Sequence, residues 1–328
     1  MSGQIRVGVI GVGYMGQHHA RVWSTMPQCQ LVGVTDANPG RAQEIANLYG
    51  VRAFADHHDL LEQVDAVSIA APTVHHHRLG QDCVAHGVHM MIEKPLAASY
   101  SEAQQLVAAA EKAQVLLQVG HVERFNPTFV ELQHVVAGSE ILAIDARRLS
   151  PTSTRAADVS VVYDLLVHDL DLTLALLGEE PNNLHAVGRK ILVPQLDYVV
   201  SLLTFGQGTL ATLTASKATQ HKVRELTVTC RDAFVVADFL NRTVMIHRQS
   251  TGDYVAQRGE VLYRQEGIIE QVYVPPVEPL YAELRHFLSC VQEQRQPLVS
   301  GADALRVLAL TDQIEASALA NLHGLYPQ

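Results

Sequence analysis

The chain has 328 residues, about two domains at roughly 150 residues each, which is enough to bury cores without a metal or disulfide staple. Its 24 Lys and Arg stand against 34 Asp and Glu, a formal net charge of −10 with no offsetting basic cluster. Duplex DNA and acidic membrane surfaces repel such a protein, so neither nucleic acid nor a membrane is an expected partner. Four scattered cysteines (Cys29, Cys83, Cys230, Cys290) form no C-x-x-C pair, which argues against a disulfide framework and a Cys-rich zinc site. No apolar run reaches the length of a spanning helix, and a patterned strand already begins at Ile5, where a leader would need a basic and then an apolar stretch. A cytoplasmic protein is expected.

From Ile5 to about residue 121, β-branched runs alternate with helical patterns. Strands are predicted at Ile5–Ile10, Gln30–Thr35, Ala66–Ala71, Val88–Ile92 and Val115–Val119. Helices are predicted at Met15–Met26, Gly40–Tyr49, His76–His86 and Ser101–Ala113, the last behind a Ser99-x-x-Glu102 capping signal. Strands at helix-spaced intervals require crossovers and a parallel sheet covered on both faces. The fold class is therefore α/β, with a doubly wound Rossmann-type sheet over 1–121. Helices at Pro127–Val136 and Val162–Leu177 then give way to strands at Leu184–Val193, Tyr198–Phe205, Thr209–Ser216, Arg224–Cys230, Ala233–Phe239 and Thr243–His247. Their short connections predict an antiparallel sheet in an α+β domain over 122–328, with a broad face suited to subunit contact. Two helices, Leu280–Gln292 and Ala302–Asn321, follow the chain break at residues 275–279.

Directly after the first strand stands Gly11-Val12-Gly13-Tyr14-Met15-Gly16. The first glycine permits a tight turn, the second a close approach of pyrophosphate, and the third close helix–strand packing. The phosphate would sit among the unpaired N–H groups of the helix start. Asp36 ends the next strand, where its carboxylate would accept from the adenosine ribose and repel a 2′-phosphate; NAD is the expected cofactor. Arg41 could pair with such a phosphate or be an exposed helix arginine. Pro72, Thr73 and His76, after the third predicted strand, would border the cofactor from topology alone. So would Glu93 and Lys94 of the Glu93-Lys94-Pro95 loop, where a lysine can also stabilise a developing oxyanion.

Asp164, His168 and Asp171 share one helix face by spacing. A histidine there suits removal of a hydroxyl proton, and a nearby carboxylate would orient its ring. In the segment GHVERFNP (residues 120–127), Arg124 is a bidentate anion binder, while Asn126 could read hydroxyls or cap the helix opened by Pro127. Of 17 histidines, the runs at 18–19, 57–58 and 75–77 are adjacent, not at the i, i+4 spacing of a helical zinc site, so no metal is expected.

These motifs, in this order, resemble the Gfo/Idh/MocA family, named for glucose–fructose oxidoreductase and inositol dehydrogenase. The resemblance runs over essentially the whole chain: GVGYMG, Asp36, APTVHH, EKP, GHVERFNP and DLLVHDLD. It implies a Rossmann domain joined to an α/β domain whose open, mostly antiparallel sheet makes dimer or tetramer contacts. It also implies catalytic roles for Lys94, Asp164 and His168. GHVERFNP narrows it to a branch that oxidises the C3 hydroxyl of UDP-N-acetylglucosamine to a ketone, which an aminotransferase then aminates. Arg124 and Arg155 become candidates for the substrate's diphosphate, Arg155 equally a surface-loop residue. Leu165-Leu166-Val167 stands where family members frequently carry glycine. The rival readings are a dehydrogenase of another sugar or polyol and a catalytically silent NAD-binding regulator.

Overall fold

Strand β1 (Ile5–Ile10) is buried from Val7 onward, as expected of a central strand covered on both faces. The computed structural model is described for residues 4–152, 158–206, 208–248, 255–258, 261–264 and 267–324. The chain divides into two compact units: residues 1–125 with 277–309, and 126–276 with 310–328.

In the first unit, α1 (Tyr14–Thr25), β2 (Cys29–Thr35), α2 (Pro39–Tyr49), β3 (Arg52–Phe54), α3 (His57–Leu61), β4 (Ala66–Ile69), α4 (His76–His86), β5 (His89–Glu93), α5 (Tyr100–Lys112) and β6 (Leu117–Gly120) follow β1. All strand pairs are parallel, in the order β3-β2-β1-β4-β5-β6. The order reverses between β1 and β4, which opens a crevice at their carboxyl ends. Asn38 caps α2 by accepting from the N–H groups of Gly40 and Arg41, and Ser99 caps α5 through Glu102 N–H.

The expected division at residue 121 follows chain order, and the compact units depart from it. Helix α8 (Pro279–Glu293) carries Leu280, Leu284, Phe287, Leu288 and Val291 into one buried cluster with Val7, Val9, Trp23 and Met26. The Trp23 indole, buried there, donates to Ser68 Oγ at 2.9 Å. Beyond α8, Val119 N–H donates to Val299 O at 3.1 Å, so the edge of β6 is partly paired.

The second unit holds α6 (Pro127–Val136), β7 (Ile141–Leu149), α7 (Val167–Leu177), β8 (Pro181–Arg189), β9 (Tyr198–Phe205), β10 (Thr209–Ser216), β11 (Val223–Cys230), β12 (Phe234–Asp238), β13 (Thr243–Arg248), β14 (Val255–Arg258), β15 (Val261–Arg264) and β16 (Ile268–Val272). Eight strands form one sheet, β16-β13-β12-β11-β7-β10-β9-β8, in which only β7 and β10 pair in parallel. The separate pair β14–β15 is antiparallel. One sheet face is buried through Ile144, Ala146, Leu203, Ala211, Leu213, Leu226 and Val228; Val187, Leu202, Leu210 and Phe234 stand exposed on alternate positions. The last helix, α9 (Gly301–Ala320), passes from the first unit to the second.

The helix expected over 162–177 is one continuous stretch of two geometries. A π turn, Val162–Leu166, precedes α7; such wide turns recur at functional sites.

Candidate active site

At the crevice of the parallel sheet, Gly11 takes φ +84°, and a Cβ on it would lie 2.7 Å from Ala71 N. On Gly16 a Cβ would lie 1.8 Å from Gly11 O, whereas one on Gly13 would meet nothing within 4 Å. The first and third glycines are thus required by protein backbone, and the second faces open space. Gly13 precedes α1 without a side-chain cap, so N–H groups of the helix start are left for an anion. A dinucleotide pyrophosphate fits this cradle.

The loop is braced from two sides. Asp36 Oδ2 accepts from Val12 N–H and Oδ1 from Asn38 N–H, each at 2.8 Å. Each carboxylate oxygen has a second lone pair, so acceptance from ribose hydroxyls remains compatible. Arg41 donates from Nε to Val12 O at 3.0 Å and from its terminal nitrogens to Gln17 and Glu44, both at 2.8 Å. Arg41, expected either to reach a phosphate or to stand exposed, is half-buried and clasps the glycine loop. Tyr14 is exposed, its ring edge-on to His18, and Met15 is half-buried. Pro72 and Thr73 lie at the carboxyl end of β4, Pro72 exposed.

His76, expected beside the cofactor, is 1 % exposed, and its ring is occupied. Nδ1 lies 2.9 Å from Pro95 O and Nε2 2.8 Å from Ala71 O. Burial lowers its pKa and the two carbonyls oppose that shift. With one N–H in the neutral ring, His76 donates to one of these two carbonyls, at the end of β4 or in the Lys94-Pro95 turn, whose peptide bond is cis. Glu93 is held similarly: His19 Nε2, fully buried, donates to Glu93 Oε1 at 2.9 Å. Burial pushes the Glu93 carboxyl up, but the His19 hydrogen bond and the charges of His19 and Lys94 outweigh it and hold it below its usual range. Lys94, half-buried, follows directly at the carboxyl end of β5. His121 is buried and Arg124 half-buried in the turn after β6.

In the second unit, Asp164 lies in the π turn and His168 in the first turn of α7, both half-buried. Asp171, expected on their face, is 1 % exposed. Beside it, Asp169 takes a bidentate grip from Arg148, with Nε at 3.1 Å from both oxygens and Nη2 at 2.7 Å from Oδ1. The Lys217 ammonium stands 2.9 Å from Asp164 Oδ2. Asn126 caps α6, its Oδ1 accepting from Thr128 N–H at 3.1 Å. Arg155 lies outside the described residues.

Sequence reasoning missed His19 and Lys217. His19 had a visible signal: it falls on the apolar stripe of α1 with Gly16, Ala20 and Trp23, all buried. Lys217 follows a strand with no motif around it. Among the described residues, one grouping has metal-ligand atom types close together, Asp56, His57 and His58. His57 already faces carboxylates at both ring nitrogens, Asp56 at 3.2 Å and Asp82 at 2.9 Å.

The oxidoreductase family with an NAD-binding Rossmann fold matches residues 5–121, and the Gfo/Idh/MocA C-terminal domain matches residues 131–236. The chain is 35% identical to the UDP-N-acetylglucosamine 3-dehydrogenase of Acidithiobacillus ferrooxidans, over 97% of this chain and 98% of that one. A solved structure of that enzyme superposes with a TM-score of 0.90, covering 97% of this chain and 99% of the other at 34% identity. The myo-inositol 2-dehydrogenase of Thermotoga maritima is 27% identical over 93% of this chain and 94% of its own length. With the glycine cradle, the strand-end aspartate and both domain matches in place, the chain belongs to the Gfo/Idh/MocA family of NAD-binding oxidoreductases.

Proposed function

We propose that this enzyme oxidises the C3 hydroxyl of UDP-N-acetylglucosamine to the 3-keto sugar. The observation that carries the reading is the 35% identity, across nearly the full length of both chains, to an enzyme named for that reaction. NAD⁺, when bound, supplies a hydride acceptor. Gly11, Gly13 and Gly16 admit its pyrophosphate, with Tyr14 and Met15 opening the helix behind it. Asp36 accepts from the ribose, Arg41 holds the loop, and Pro72, Thr73, His76 and Glu93 shape the crevice.

His168 takes the proton from the sugar hydroxyl, directly or through water, since a carbon–hydrogen bond yields its hydride readily only as that proton departs. Lys94 donates to the same oxygen and stabilises its developing negative charge. Asp164 orients and charges the site. Arg124 and Arg155 are assigned to the diphosphate and Asn126 to a sugar hydroxyl.

The reading extends to the setting. The exposed apolar positions Val187, Leu202, Leu210 and Phe234 on the outer face of the eight-stranded sheet serve self-association as a homodimer or homotetramer. No described helix is long and apolar enough to cross a membrane, and the reaction is assigned to the cytoplasm. The ketone is the substrate an aminotransferase requires, which leads toward an amino sugar for lipid A or another surface glycan.

The test is a panel of UDP-sugars and free polyols with NAD⁺ or NADP⁺, followed at 340 nm. UDP-N-acetylglucosamine with NAD⁺ is expected to give the highest kcat/KM. The likeness to an inositol dehydrogenase makes myo-inositol the main competitor, and preference for it would replace the nucleotide-sugar reading. NAD binding without turnover of any compound would make the protein a sensor.

A further inference from the structure

Lysine is almost never fully buried without a partner, and Lys217 is 5 % exposed. Its backbone is held on both sides: the N–H donates to Asp197 O at 2.7 Å, and the carbonyl accepts from Thr152 Oγ1 at 2.5 Å. Asp197 is itself fixed, its carboxylate accepting from the N–H groups of Ile191, Leu192 and Val193. From this rigid end of β10 the ammonium donates to Val159 O at 2.8 Å and stands 2.9 Å from Asp164 Oδ2.

The two ends of the ion pair differ in exposure, 6 % for the Lys217 side chain and 31 % for that of Asp164. The cation is sunk in the protein and the carboxylate reaches the surface. Taking an ammonium out of water costs several kcal/mol before its partner offsets the loss, and a strand end can be closed by an apolar residue without that cost. The arrangement makes sense if the carboxylate itself has to be held. Asp164 needs holding, because it sits in the wide π turn Val162–Leu166. An aspartate side chain has two free torsions there unless something grips it.

We propose that Lys217 is a positioning residue for the reaction: its buried ammonium fixes the Asp164 carboxylate in one orientation. The proposal rests on the reading above, in which Asp164 serves the chemistry. Lys217 acts through Asp164 and contacts no substrate. Its loss lowers kcat and leaves KM for the sugar nucleotide and NAD affinity near wild type.

The experiment is a double-mutant cycle on the full-length enzyme with UDP-N-acetylglucosamine and NAD⁺, using Asp164→Asn, Lys217→Met and the double variant. Lys217→Gln runs in parallel, because its amide keeps a polar donor at the strand end and supports the fold if methionine does not. Each single substitution is expected to lower kcat roughly 10–100-fold, the scale of an ångström-sized misplacement of a working group. The double variant is expected to fall within about threefold of Asp164→Asn, because groups acting as one unit are not additive. A merely structural lysine would multiply its loss onto that of Asp164→Asn. That result, or wild-type kcat in Lys217→Gln, overturns the proposal while the reading of Asp164 stands. Wild-type kcat in Asp164→Asn, or no turnover by the unmodified enzyme, overturns the reading and the proposal with it.

Discussion

Alanine at the second and third glycines of the loop separates what the protein needs from what the cofactor needs. A Cβ on Gly16 lies 1.8 Å from Gly11 O, while carbon–oxygen contacts settle near 3.3 Å, so the loop has to open by about 1.5 Å. Gly11 cannot yield freely. Its N–H donates to Thr35 O at 2.8 Å, and the next residue is gripped by Asp36 and Arg41. Losing two or three such hydrogen bonds, at about 1 kcal/mol each, together with the strain of the contact, puts the cost of Gly16→Ala at about 2–4 kcal/mol. That corresponds to a Tm roughly 5–15 °C lower. Gly13→Ala meets no atom within 4 Å, so its cost to the unliganded fold is about 1 kcal/mol or less. If pyrophosphate occupies that space, the added methyl raises the Kd for NAD at least about tenfold, or 1.4 kcal/mol. Differential scanning fluorimetry and titration calorimetry read both quantities. Unchanged NAD affinity in Gly13→Ala, or a wild-type Tm in Gly16→Ala, would refute the reasoning.

His168→Ala is expected to lower kcat about 10²–10⁴-fold with NAD affinity intact; near-normal turnover would remove it as the base. Asp36→Ser should raise the NADP/NAD ratio of kcat/KM at least about tenfold and also lower Tm, because Val12 and Asn38 N–H lose their acceptor. An unmodified enzyme that already uses both cofactors equally would exclude this role. Arg148→Met leaves the buried Asp169 carboxylate without its bidentate partner, which costs about 3–5 kcal/mol in urea unfolding; a smaller loss would mean that water reaches the carboxylate. Burial lowers the pKa of His76, His89 and His286 from 6.5, with Arg295 adding to the shift at His286. A lowered histidine stabilises the fold above 6.5, and that contribution is lost as pH falls toward the folded-state value. Tm should therefore drop between pH 7 and 5, and a flat profile would contradict the burial of these rings.

The parallel sheet was legible because its strands are short apolar runs between helix patterns, and five of its six strands follow from that rule. β3 spans three residues, Arg52–Phe54, too short for a period to register. β7 was missed for a more instructive reason. Its inward positions run Ile144, Ala146, Arg148, and the arginine breaks the apolar alternation because its partner, Asp169, comes from a helix 21 residues on. Long-range pairing of this kind leaves no local trace, and the same holds for Lys217 with Asp164 and His19 with Glu93. The motifs located the glycine cradle and the Asp164–His168 helix. They could not reveal that Arg41 braces the glycine loop or that His76 is buried against two backbone carbonyls, since spacing reports proximity and not contacts.

The first unit cannot finish its core in the order in which the chain is made. Val7, Trp23 and Met26 wait for Leu284, Phe287 and Val291, which leave the ribosome roughly 170 residues after the parallel sheet is complete, about 10–30 s at ordinary synthesis rates. During that interval the nascent sheet carries an uncovered apolar flank, a target for chaperones and for premature association. A fragment ended at Phe125 inherits the same flank permanently. The chain also carries its own reporter of closure: Trp23 is its sole tryptophan, and its emission should shift to the blue only when α8 docks.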